Sequence, residues 1–174
     1  DSWKRIHWSH YLAQEGFLIV TVDPRGTAAR GEDFRKSAYL NLGKYESEDM
    51  IATATYLKTL PYVDGNNIGI FGWSYGGFIT TLSMCKGSDV FKAGIAVAPV
   101  TNWRFYDTVY TERYMGLPRD NPGGYDENSP LAHADKLKGR LLIIHGSADD
   151  NVHPQNSYEF AEKLVQSGVQ FDMA

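Results

Sequence analysis

Ser74 stands in Gly72-Trp73-Ser74-Tyr75-Gly76, a G-x-S-x-G spacing. Small residues on both sides of a serine let a strand turn sharply into a helix and leave the hydroxyl exposed on a strained turn. A serine held this way is suited to attack an acyl carbon. The backbone N–H of Tyr75, at the helix N-terminus, is placed to donate to the oxyanion that develops. A serine hydroxyl is a weak nucleophile by itself, so it needs a histidine base and a carboxylate that orients that base. After such an elbow the acid comes later in the chain, past a later strand, and the histidine later still. Leu141-Leu142-Ile143-Ile144 runs into His145-Gly146-Ser147-Ala148-Asp149-Asp150-Asn151, so Asp149 and Asp150 are both candidates. Spacing does not choose between them, and capping the helix that begins near Pro154 is the plainer role for either. Of the five histidines, His7, His10, His133, His145 and His153, only His153 follows the aspartates, and it lies on the same loop. The base is therefore expected beyond Ala174.

The elements that must position these groups are short apolar runs alternating with amphipathic stretches. Phe17 to Val22, Asn67 to Phe71, Ala93 to Ala98, Leu141 to Ile144 and Val169 to Met173 read as strands. Strands apolar on both sides suit a parallel sheet covered by helices on each face. Helices are expected up to Gly16, from Tyr45 to Leu60, from Gly77 to Cys85 and from Pro154 to Val165. The last of these has Tyr158, Ala161 and Val165 at helical spacing. Gly116 to Lys138, rich in Pro, Gly, Asp and Asn, reads as an excursion over the surface. Strand and helix in alternation, with a serine elbow between them, define an α/β fold of the α/β-hydrolase type. There is no internal repeat and no second domain.

Composition removes other classes. The 174 residues hold 17 Lys and Arg against 21 Asp and Glu, a net charge of −4, so no bulk field draws the chain to nucleic acid or an anionic membrane. The single cysteine, Cys85, can form neither an intrachain disulfide nor a thiolate cluster. Gly26 and Gly31 are spaced as in a phosphate loop, but Glu32 and Asp33 stand where Lys and Ser or Thr would be needed. No dinucleotide fingerprint occurs, and no cofactor is expected. A metal site from His145, Asp149, Asp150 and His153 would require folding back across a strand end, so none is expected. Arg25, Arg30, Arg35 and Lys36 form a basic cluster that Glu32 and Asp33 interrupt.

Three blocks carry a resemblance: Phe71 to Gly77, the run FKAGIAVAPVTNWRFYDTVYTERYMGLP from Phe91 to Pro118, and HGSADDNVH from His145 to His153. Over nearly all its length the chain resembles the catalytic domain of dipeptide-releasing members of the prolyl oligopeptidase family of serine peptidases. The resemblance implies Ser74 as nucleophile and Asp149, rather than Asp150, as the triad acid. It implies a proline-accepting pocket from Tyr75, Val100, Trp103, Tyr106, Tyr110 and Val152, with Asn151 bonding a substrate carbonyl and Arg113 helping to position it. Trp103, Tyr106, Tyr110 and Tyr114 recur at helical spacing as one aromatic face, which suits the flat, apolar proline ring. Peptides with a penultimate proline, or alanine, are the implied substrates. The same resemblance implies a homodimeric whole protein at the cell surface, in the periplasm or secreted, and the lack of a glycosylation sequon favours a bacterial source. Family members also carry a β-propeller, early hydrolase strands with an oxyanion tyrosine, and a triad histidine after the acid. None of these can be placed here, so the chain is expected to be a fragment truncated at both ends and inactive alone. A tripeptidyl or acyl-peptide hydrolase of the same family, or a non-catalytic interaction module, are the alternatives.

Overall fold

The computed structural model describes residues 8–174, so His7 lies outside the described residues. Along the chain come α1 (Trp8–Gln14), α2 (Glu32–Lys36), α3 (Lys44–Leu57), β1 (Gly69–Trp73), α4 (Tyr75–Lys86) and β2 (Ala93–Val97). They are followed by α5 (Thr108–Met115), α6 (Pro122–Asp126), β3 (Arg140–Ile144), α7 (Gln155–Gln166) and β4 (Asp172–Met173), with 3-10 turns at Trp103–Phe105 and Pro130–Lys136. The four strands form one sheet in the order β1-β2-β3-β4, parallel throughout, so each connection is a crossover through helical structure. Phe71 is in register with Ile95, and Ile95 with Leu142.

The core lies on one side of this sheet. Ile70, Ala96, Leu141 and Ile143 pack with Ala54 of α3, Met84 and Cys85 of α4, and Phe160 and Leu164 of α7. α4 is buried from Gly77 to Cys85, which is why its residues are uncharged. A second apolar cluster joins Phe78, Ile79 and Leu82 of α4 to Leu42, Val100, Trp103, Met115 and Val152. It therefore gathers the loops that leave the carboxyl ends of β2 and β3, where ligand sites form in sheets of this kind.

Four expectations need correction. Phe17 to Val22 belongs to no ladder among the described residues, and Phe17 and Leu18 are exposed. A β-branched run becomes a strand only where a neighbour offers hydrogen-bond partners, and β1 pairs with β2 alone. The α/β-hydrolase class stands. Among the described residues α3, α4 and α7 pack on one face of the sheet, and Phe71, Trp73 and Ile95 on the other are exposed. α7 buries Asn156, Ser157, Phe160 and Leu164, while Tyr158 and Val165 point to solvent. Periodicity admitted two stripes there, and packing on the sheet selected the other. Gly116 to Lys138 is more than a surface excursion: it holds α6 and a 3-10 turn, and Tyr125, Ala134 and Leu137 are core residues. Lastly, the aromatic run after β2 is not one helix. Trp103 sits in a 3-10 turn, and α5 starts afresh at Asp107, whose carboxylate caps the Tyr110 N–H at 2.8 Å.

The basic cluster also dissolves into pairs. Arg25 bonds Asp49 and Glu48 across to α3, while Arg35 and Lys36 pair with Glu32 within α2.

Candidate active site

Ser74 is the one residue between β1 and α4. Its backbone is at φ 56, ψ −114, a conformation that costs an L-residue on the order of 1–3 kcal/mol. Two hydrogen bonds hold it there. Its N–H donates to the Val97 carbonyl at 2.8 Å, and its carbonyl accepts from the Phe78 N–H at 3.0 Å. The steric demand for glycine falls at two positions. A Cβ on Gly72 would overlap the Gly76 backbone, and one on Gly77 would lie 2.9 Å from the Val97 carbonyl oxygen and 3.0 Å from the Pro99 Cα. Gly76, the second glycine of the spacing, has nothing within 4 Å of that direction. Close packing of α4 on β2 thus depends on the residue just after the motif.

The two aspartates differ sharply. Asp149 Oδ1 accepts from the N–H groups of Asn151 and Val152, both at 3.0 Å, which closes the loop after β3. Asp150 is exposed and faces an open pocket of about 430 Å3 shared with Tyr106, Asn151 and His153. Neither caps α7, whose first position is preceded by Pro154 without any side-chain cap. His145 lies beneath the loop with its side chain almost wholly buried. Its Nε2 is 2.7 Å from the Val152 carbonyl, which can only accept, so Nε2 carries the hydrogen and Nδ1 accepts from the Ser157 hydroxyl at 2.6 Å. Both ring nitrogens are committed, and His145 is free neither to ligate a metal nor to act as a base. His133 is engaged likewise, by the Glu127 carbonyl and Lys136. His153 stays exposed on the aspartate loop.

The aromatic residues come together although they arise from three elements. Trp103 stacks on Tyr110 with centroids 5.8 Å apart and meets Tyr75 at 5.5 Å and Tyr106 at 5.9 Å. Tyr106 meets Tyr110 edge-on at 5.3 Å. Val100 and Val152 belong to the same cluster. Asn151 is drawn in by the Tyr106 hydroxyl, which donates to its Oδ1 at 2.8 Å and leaves the amide N–H groups for another acceptor. Arg113 is exposed on α5, one turn beyond Tyr110. Burial raises the pKa of the Tyr110 hydroxyl, and the nearby tyrosine and acidic groups raise it further, so it stays protonated.

Two residues that spacing did not single out organise this site. Asn156 is fully buried; its Oδ1 accepts from the Thr101 N–H at 2.9 Å and its Nδ2 donates to the His153 carbonyl. Its own carbonyl accepts from the Thr101 hydroxyl at 2.6 Å. It therefore ties the loop after β2 to the loop after β3. The signal for it was an asparagine four and eight residues before Phe160 and Leu164, on the buried stripe of α7. The other residue is Glu46, in the first turn of α3. It is buried and accepts from the Tyr75 hydroxyl at 2.5 Å. No local pattern connects residues 29 positions apart.

Residues 3–174 match the model of the prolyl oligopeptidase family, and the chain belongs to that family. Among its relatives, a probable dipeptidyl-aminopeptidase B of Metarhizium robertsii is 49% identical over 95% of this chain and 18% of its own length. The human prolyl endopeptidase FAP is 45% identical over 95% of this chain and 22% of its length. The crystal structure of Porphyromonas gingivalis dipeptidyl peptidase 4 superposes with a TM-score of 0.95 at 57% identity, covering 98% of this chain and 24% of that one. The chain thus spans about a fifth of the length of the relatives it matches.

Proposed function

We propose that this chain is the nucleophile-bearing part of a serine exopeptidase that releases N-terminal dipeptides when the second residue is proline or alanine. In this reading Ser74 Oγ attacks the carbonyl after the second residue and passes its proton to a histidine base. The Tyr75 N–H donates to the oxyanion. The intermediate collapses to an acyl-enzyme, the protonated amine departs, and water repeats the sequence to free the dipeptide. Asp149, already fixed by two backbone N–H groups, orients the base. The pocket of Tyr75, Val100, Trp103, Tyr106, Tyr110 and Val152 takes the proline ring, Asn151 donates to the preceding carbonyl, and Arg113 assists in positioning it.

The observation that carries this reading is the strained Ser74 at the strand-to-helix junction, packed next to a box of aromatic rings in which the Tyr75 and Tyr106 hydroxyls are tied to Glu46 and Asn151. Relatives called dipeptidyl peptidases support the dipeptide product. A relative called a prolyl endopeptidase has equal coverage, so the residues that count substrate positions are assigned to the rest of the protein. So is the base, since His133 and His145 are engaged elsewhere and His153 shares the loop of Asp149. A homodimer acting outside the cytoplasm, from a bacterial source, belongs to the same reading. In the full-length protein, a fluorophosphonate probe is expected to label Ser74 and a Xaa-Pro chromogenic substrate to be cleaved, both abolished by Ser74→Ala. Labelling that survives Ser74→Ala overturns the assignment. The 174-residue chain alone is expected to be inactive, and rapid Xaa-Pro cleavage by it would contradict the placement of the base.

A further inference from the structure

Tyr75 has two duties in the proposed site: its N–H faces the oxyanion, and its ring is one wall of the proline pocket. Among the described residues one hydrogen bond holds its hydroxyl, donated to Glu46 Oε1 at 2.5 Å. The other carboxylate oxygen, Oε2, accepts from the Gly43 N–H at 3.0 Å at the start of α3. Glu46 is 4% exposed, so neither oxygen has water as an alternative. Two donors converge on it, one on each oxygen of the carboxyl group. A carboxylate is costly to bury, and among the described residues no cation is paired with it. The Tyr75 ring itself packs against Phe78 at 5.6 Å and Trp103 at 5.5 Å.

We infer that Glu46 is a positioning and specificity-determining residue, which locks the Tyr75 ring so that the pocket wall fits a proline ring more closely than an alanine methyl. The inference rests on the reading of the pocket given above. Its physical basis is the difference between the two substrates. Proline fills the box and touches the Tyr75 wall, whereas alanine leaves a gap there, so freedom in the ring penalises proline selectively. In Glu46→Gln the carboxamide has only one acceptor. If it serves Gly43, the Tyr75 hydroxyl faces an NH2 group and must send its own proton elsewhere. Tyr75→Phe breaks the same bond from the other end while keeping the ring.

The test uses the full-length protein with matched Xaa-Pro and Xaa-Ala chromogenic substrates, wild type beside Glu46→Gln, Tyr75→Phe and the double variant. Each single variant is expected to lower the Pro-over-Ala ratio of kcat/KM by about tenfold, the scale of a pocket misfit. The double variant should fall no further than either single one, because both remove one bond. A general loss of folding would lower both substrates together and leave the ratio unmoved. An unchanged ratio in Tyr75→Phe, or additive losses in the double variant, overturns the role of Glu46 while leaving the pocket in place. A wild type that cleaves neither substrate overturns the pocket reading itself and the inference with it. Should Glu46→Gln fail to fold, Tyr75→Phe alone decides.

Discussion

Asp149 and Asp150 are chemically identical neighbours in opposite surroundings, and their contrast sets the first expectation. Asp149 is held by two N–H groups on Oδ1, and its Oδ2 lies 3.6 Å from Nε2 of His145. Asp149→Asn in the full-length protein is expected to lower kcat by about 10^4 through loss of the orienting charge. Asp150→Asn should leave kcat near that of the parent. Steady-state rates on one Xaa-Pro substrate check both, and the reverse ranking would reassign the acid. Glu46 yields a second expectation, for stability. Burial raises its pKa above the ordinary value of 4.5, against the lowering effect of the hydrogen bonds from Tyr75 and Gly43. The native state therefore keeps this proton to higher pH than the unfolded chain does. Its contribution to stability is full below pH 4.5 and is lost as pH rises through the raised value. The stability of wild type relative to Glu46→Gln should accordingly decline with rising pH across that window. Denaturant titrations of the two proteins at a series of pH values measure this, and a gap that widens with pH would contradict it.

Between elements, the site depends on ties that cross from one loop to the next. Asn156 joins the end of β2 to the start of α7 through buried hydrogen bonds to Thr101 and His153. Truncation to alanine leaves the Thr101 N–H buried without its acceptor, at about 1–3 kcal/mol, and opens a small cavity as well. Asn156→Ala is expected to lower stability by roughly that amount and to raise KM more than it lowers kcat, since pocket walls from both loops move together. Thermal unfolding and steady-state kinetics on the same preparation test this. A KM at the parent value would mean the two loops are held by other contacts.

For the whole molecule, the open sheet face is the dominant feature. Phe71 and Ile95 lie in register on adjacent strands and, with Trp73, remain exposed where a buried face is usual for a parallel sheet. Apolar surface of this kind drives association. The 174-residue chain expressed alone is expected to bind a hydrophobic dye and to elute as associated species. Phe71→Lys with Ile95→Glu should reduce both signals without lowering the melting temperature. A monomer that ignores the dye would show that the face is covered in solution.

Much of this was legible in the sequence. Elbow, strand and helix around Ser74 rest on local geometry, and short apolar runs at β1, β2 and β3 announced a parallel sheet. The carboxyl-end position of Asp149 followed from chain order alone, because short-range periodicity and turn chemistry act on neighbours. Other features needed the tertiary structure, because each arises from a contact between distant residues. Phe17 to Val22 has strand composition but no partner, so pairing decided against composition. Tyr158, Ala161 and Val165 stand at helical spacing in α7, but contact with the sheet buries Phe160 and Leu164 instead. Asp149 and Asp150 are alike in spacing, and only the fold gives them different surroundings, two N–H groups on Asp149 Oδ1 and solvent around Asp150. The bond from Tyr75 to Glu46 spans 29 residues, and only the packing of α3 on α4 brings its two ends together.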